Sequence, residues 1–320
     1  VIQLAAKFAP AADEVWRLQN DDDPECRWFR NAVRGKPDAI RGSMQGTYVL
    51  TASGRSLGRI NSNNADAVIA MLERSLAAWH ELSPVVRGQA TDVAFAPVHR
   101  WEQSYPEAGL VIERFARDRG DDPAATPKRP VNRDAVWFSS EEARGLLPND
   151  MSVGSTSAVP DAFIQRLARL VLVDNVRGQT LPFTPAEVAG SSLRTEVIKQ
   201  HGTRIELRLT GATRAVAKGP WLGGDTYWRP KRQWPRRITT RIFGTATYDT
   251  ETLRFTAFEL VALGERKGRT TFNGRSREDA NVSYKIGFLL RLAPAHWRVA
   301  PTFINVYDTA WVVHPPITAR

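Results

Sequence analysis

At 320 residues the chain is long enough for two domains and a substantial buried core. Its 42% hydrophobic and 24% charged content is ordinary for a soluble globular protein, and no run of 18 apolar residues offers a membrane-spanning helix. The net charge of +10 is unevenly spread: residues 151–320 hold 25 basic and 13 acidic side chains, whereas residues 1–150 are near balance. Such a field favours acidic partners, although the same arginines also serve solubility. One cysteine permits no internal disulfide and excludes cysteine-rich zinc and iron–sulfur sites. The chain begins at Val1, which a removed export signal or a trimmed end would explain; a periplasmic or secreted location is the expectation.

In chain order, Val15–Leu18 reads as a short strand, Asn20–Asp23 as an acidic loop, and Pro24–Val33 as a helix carrying Cys26. GTYVLTASGRSLG (46–58) reads as a hairpin. Asn64–Trp79 is an amphipathic helix, with Val68, Ile69, Leu72, Leu76 and Trp79 at helical spacing and Asp66 in the first turn. Pro84 follows as a stop signal. Residues 117–134, polar and rich in proline, read as a linker or long surface loop. Ser139 and Glu142 form a capping box before a short helix ended by Pro148. Further helices are expected from Pro160, with Phe163, Leu167, Leu170 and Val171 on one face, and from Thr184-Pro185-Ala186-Glu187.

From residue 203 the hydrophobic period changes from 3.6 to 2, with Ile205, Leu207 and Leu209 alternating with charged residues. Strands follow at 239–248, at 253–263 with a bulge near Thr256-Ala257, at Tyr284–Leu290 and over 297–313. Five or more strands without intervening helices predict an antiparallel sandwich or barrel. The fold class is therefore α+β. An N-terminal α/β domain (1–85) and an irregular connection with one short helix (86–159) precede a helix pair plus antiparallel β-rich domain (160–320).

The strand, acidic loop and Cys26 helix, followed by the hairpin around Thr47-Tyr48-Val49-Leu50 and Ser53-Gly54-Arg55, resemble the thioredoxin-like superfamily. The likeness covers about a quarter of the chain; its hairpin portion is similar to the strand–turn–strand of periplasmic members, and more loosely the segment resembles degenerate thioredoxin-type domains of exported bacterial proteins. Active members use a Cys-x-x-Cys whose first thiol is activated at a helix N-terminus. On that pattern Asp23-Pro24-Glu25-Cys26 places Cys26 at the resolving position and Asp23 at that of the nucleophile. Gln45-Gly46 stands where those members carry a cis-proline. The resemblance thus implies a redox-inactive domain, with Asp23 and Cys26 as remnants; from its own chemistry Cys26 reads as a small buried hydrophobe on the inner face of the helix, as free cysteines usually are.

No other catalytic signature is present: there is no G-x-S-x-G elbow, Walker A loop or dinucleotide fingerprint, and the five histidines do not pair at helical spacing. No catalytic residue, metal site or cofactor is assigned. Pro220–Arg237 alone has binding character, interleaving Trp221, Tyr227, Trp228 and Trp234 with Arg229, Lys231, Arg232, Arg236 and Arg237. Aromatic platforms with cationic neighbours suit an anionic partner, or instead form a stacked loop shielding a sheet edge. The expected partner is an acidic protein or glycan, within a larger assembly, in preference to nucleic acid. The sequence thus points to a non-catalytic exported binding or assembly subunit. The alternative is a carbohydrate-active or other Asp/Glu-dependent enzyme, with paired carboxylates beside Trp221, Trp228 or Trp297.

Overall fold

A computed structural model describes residues 1–11, 13, 15–34, 44–92, 104–120, 131–178, 180, 182–188, 190–217, 235–270, 273–275 and 277–302. The chain divides into two compact units, Val1–His99 and Arg100–Arg320. Among the described residues, no helix is long and apolar enough to cross a membrane.

The first unit contains α1 (Ile2–Ala5), α2 (Val15–Asn20), α3 (Pro24–Arg34), the strands β1 (Thr47–Leu50) and β2 (Ser56–Ile60), then α4 (Ala65–Glu81) and α5 (Pro84–Arg87). The hairpin and α4 lie where the sequence places them. Asn64 caps α4 by accepting from the Ala67 amide at 2.9 Å, and α4 buries Met71 and Leu72 against Val49 of the hairpin. Gly58 makes that approach possible, since a Cβ there would stand 2.1 Å from Ser75 Oγ and 2.9 Å from Met71 Sδ. The strand expected at Val15–Leu18 is instead the helix α2. Arg30 of α3 donates to the carbonyls of Leu18 at 3.1 Å and Asp21 at 2.6 Å, satisfying acceptors that the end of a short helix leaves open. Four residues, three apolar and one Arg17, have no decisive period of their own, and this tertiary partner favours helix.

The second unit is built on one eight-stranded antiparallel sheet. Its strands are β3 (Leu110–Arg119), β4 (Val131–Phe138), β5 (Thr156–Ala158), β6 (Ser192–His201), β7 (Arg204–Ala217), β8 (Arg236–Asp249), β9 (Arg254–Gly268) and β10 (Ser283–Leu292), in spatial order β4-β3-β10-β9-β8-β7-β6-β5. The segment 86–159, expected as an irregular connection, thus supplies three strands as well as the short helix α6 (Ser140–Arg144), whose Ser139–Glu142 capping box is formed. The predicted bulge falls at Thr256: Thr247 pairs with Ala257 and Tyr248 with Phe255, leaving one residue over. The Thr184 start signal makes its capping box but only a single 3-10 turn, Pro185–Glu187, because Val188 bridges to Ala215 of the sheet. Residues 297–302 are not strand, and 303–313 lie outside the described residues.

One face of the sheet is the core. Leu207, Leu209, Ile242, Leu260 and Phe288 pack with α7 (Asp161–Arg166) and the π-helical turn Leu167–Val171 that continues it. Phe138 and Phe163 stack at 4.2 Å. Irregular backbone inside a core needs partners for its carbonyls. Buried arginines provide them: Arg114 donates to Val171 and Val173 at 2.9 Å each and Arg169 to Phe183 at 2.8 Å, while Arg166 donates at 2.9 Å to Trp137 of the edge strand β4.

Candidate interaction surface

Strand alternation sends every second residue of β3 and β7–β10 away from the core. Register then decides which of those residues are neighbours. Arg119, Lys285 and Glu265 are directly opposite one another across β3, β10 and β9, and the same row continues through Thr239 to Arg214. In the next row outward Lys267 faces Arg237. In the next row inward Arg117 and Arg241 flank Gly287 and Leu263. Among the described residues, seven cations therefore share three adjacent rows with one carboxylate, that of Glu265. Five of the seven are exposed, and Arg237 and Lys267 are half-buried. With strands about 4.8 Å apart, neighbours in these rows fall within a Debye length of about 8 Å at physiological salt, so their fields add.

Below this basic zone the outer face changes character. Phe243, Val261, Leu289 and Phe115 follow one another across β8, β9, β10 and β3 as an apolar row. The row after it carries both signs: Glu113 accepts from Arg133 Nε at 3.1 Å and Arg291 Nε at 2.6 Å, Glu259 lies opposite Arg291, and Arg208 meets Glu196 at 3.0 Å.

Of the residues proposed from the sequence, Trp221, Tyr227, Trp228, Arg229, Lys231, Arg232 and Trp234 lie outside the described residues, in the connection between β7 and β8. Arg236 and Arg237 are described, and they part company. Arg237 stands on the outer face beside Lys267, with Ser283 Oγ at 3.4 Å. Arg236 points the other way, donating to Pro182 O at 2.6 Å and Thr180 Oγ1 at 3.2 Å while its guanidinium lies 4.1 Å from the Phe183 ring centre. Arg236 is thus a clasp within the unit, and period-2 geometry is the reason. Sequence reading missed Arg117, Arg119, Arg214, Arg241, Lys267 and Lys285. The signal was present in the alternating basic residues of each strand, but their adjacency depends on register.

Behind the basic zone, on the inner face, a neutral cluster ties loops to the sheet. Arg275 donates to both oxygens of Asp118 at 2.8 Å each and to both of Asp174 at 2.6 and 3.0 Å. Arg266 forms a fork to Glu278 at 2.7 and 2.9 Å, and Arg177 reaches Asp118 at 2.9 Å. Burial alone would raise the Asp118 carboxyl, but the hydrogen bonds and charge of Arg275, joined by Arg266 and Arg177, hold it below the usual carboxylate range. Three cations balance three carboxylates, each already occupied, which makes a structural lock. Glu142 is a second perturbed acid. Burial pushes its carboxyl up, opposed by Arg166, which it meets at 2.6 Å, and by its bonds to Ser139 of the capping box. Burial in turn lowers Arg166 to about 10.

Trp297 is buried beneath Arg133, whose guanidinium lies 4.3 Å from the ring centre. The carboxylate bound to Arg133 is Glu113. Burial would raise it, but hydrogen bonds from Arg133 and Arg291 prevail and lower it, so it is charge-paired and ill-suited to donate a proton. In the first unit, Asp23 and Cys26 do meet. Asp23 accepts from the Cys26 amide at 2.8 Å and from its Sγ at 3.1 Å, capping α3, and Cys26 is fully buried. Among the described residues no three His, Cys, Asp or Glu side chains are grouped to hold a metal ion. Comparison with family models, curated proteins and solved structures finds no match for the chain.

Proposed function

We propose that this chain is a non-catalytic binding or assembly subunit that takes an acidic partner on the outer face of the second unit's sheet. The observation that carries this reading is the set of seven cations against Glu265 in three adjacent rows. Backbone pairing holds their Cα positions, so an anionic surface that arrives orders side chains but not backbone. Charge-assisted contacts from arginine to carboxylate are the strong kind, and arginine is enriched at binding hot spots. In sequence, residues 218–234, which follow β7 and precede β8, carry further Trp and Arg residues.

The test uses a fluorescent all-Glu peptide and measures anisotropy at low and high salt. The wild-type chain should bind it with an affinity that falls steeply as salt rises. Arg117→Glu with Arg241→Glu should weaken binding by about tenfold or more at low salt, chiefly through slower association. Both positions are exposed, so circular dichroism should be unchanged. Failure of the wild type to bind, or binding indifferent to salt and to both reversals, would remove this reading.

A further inference from the structure

The basic zone does not end on polar surface. Phe243 is 55% exposed and Leu263 37% exposed, and Leu263 is the direct cross-strand partner of Arg241. Phe243 faces Val261, which in turn faces Leu289, so the apolar side chains form a continuous stripe across the strands. Single exposed hydrophobics are commonplace, but a contiguous stripe bordering a charged zone marks an interaction site. Resting on the binding function proposed above, we infer that the partner is an acidic protein segment that also carries apolar side chains. Its carboxylates lie over Arg117 and Arg241, and its apolar side chains cover Phe243, Leu263 and Val261.

Charge and chemistry select this occupant over the others. A sulfated or carboxylated glycan satisfies the cations but offers no side chain to cover Leu263 and Val261. Nucleic acid stacks on exposed aromatic rings, and of the two in this stripe Phe115 is half-buried and already faced by the Arg133 and Arg291 guanidiniums, 5.8 and 5.0 Å from its ring centre. A second copy of this chain is disfavoured by its own pattern. The zone across the stripe sets Glu113, Glu259 and Glu196 against Arg133, Arg291 and Arg208, so it presents no net acid surplus to the basic zone of a facing copy. The partner must therefore bring both properties at once, acidic on one flank and apolar along the other.

The experiment compares two probes in the full chain: an all-Glu peptide, and a peptide with the same number of Glu residues interspersed with Leu. The wild type should bind the Glu/Leu peptide about tenfold more tightly, a difference of about 1.4 kcal/mol. The variant Phe243→Thr with Leu263→Thr keeps strand-forming residues on an exposed face, and should bind both peptides alike while retaining its affinity for the all-Glu probe. If the all-Glu probe binds with salt dependence but Leu adds nothing, or if the Leu preference survives in the double variant, this inference fails and the binding function stands. If neither peptide binds, both fail. Sedimentation supplies a further check: a dimer dissociated by the same double variant would identify the occupant as a second copy and overturn the proposal.

Discussion

Arg275 and Asp118 meet through two hydrogen bonds of 2.8 Å, one guanidinium nitrogen to each carboxylate oxygen, across 157 residues of sequence. The pair fastens the β9–β10 connection to β3, directly behind the basic zone. Its side chains are almost wholly withdrawn from water, 0% and 12% exposed. Removing one partner leaves the other charge buried, which costs about 3–5 kcal/mol in comparable cases.

Asp118→Asn should therefore lower the urea-unfolding stability of the second unit at neutral pH by an amount on the order of 3 kcal/mol. The pH dependence has a defined sign. The folded pKa of Asp118 lies below its unfolded value, so its stabilisation is complete above the unfolded pKa of about 4 and disappears as pH falls through the lower folded value. Urea midpoints recorded from neutral pH into this acid window should fall less steeply for Asp118→Asn than for the wild type. Parallel curves would show that Asp118 is not what the acid limb titrates.

Arg236 and Arg237 are adjacent in sequence and opposite in role, which separates folding from binding in a single dipeptide. Arg236→Ala removes the bonds to Pro182 and Thr180 and the contact with Phe183, and should destabilise the second unit by about 1.5–3 kcal/mol. Arg237→Ala should leave stability within about 0.5 kcal/mol of wild type and weaken salt-dependent binding of the all-Glu peptide. Thermal melts and anisotropy on the two single variants check this. Equal stability losses would place both side chains in the clasp.

Elements whose signals are local were legible in the sequence. The amphipathic helix expected over Asn64–Trp79, the Ser139–Glu142 capping box and the hairpin expected over 46–58 need only neighbours within a few residues, and all three are present. β3 was obscured because Glu113, Arg114 and Asp118 are buried charges that break the apolar alternation. Their compensating partners are distant in the chain: Arg291 is 178 residues from Glu113, and the Val171 carbonyl 57 residues from Arg114. The interaction surface was obscured for the related reason that Arg117 and Arg241 become neighbours of one stripe only through the register of β3, β10, β9 and β8. Composition revealed the basic excess of residues 151–320, but only the sheet brings Arg214, Arg237, Arg241, Lys267 and Lys285 to one face with Arg117 and Arg119 of β3.

Cys26 tests the remaining expectation, because its environment separates a packed thiol from a reactive one. Its Sγ donates to Asp23 while Asp23 also accepts from the Cys26 amide, so the two positions that the thioredoxin resemblance marks form a helix cap. A fully buried side chain in that setting is protected from reagents until the helix opens. A thiol-reactive dye should label the native protein slowly, at a rate that rises with added urea and reaches its limit on unfolding. Asp23→Ala removes the cap, should cost about 1 kcal/mol, and should accelerate labelling without unfolding the second unit. Cys26→Ala should cost a similar, small amount, since one sulfur is a modest loss of volume. Rapid labelling of the untreated protein, unaffected by Asp23→Ala, would instead place the thiol at the surface and return a single-cysteine redox role to consideration.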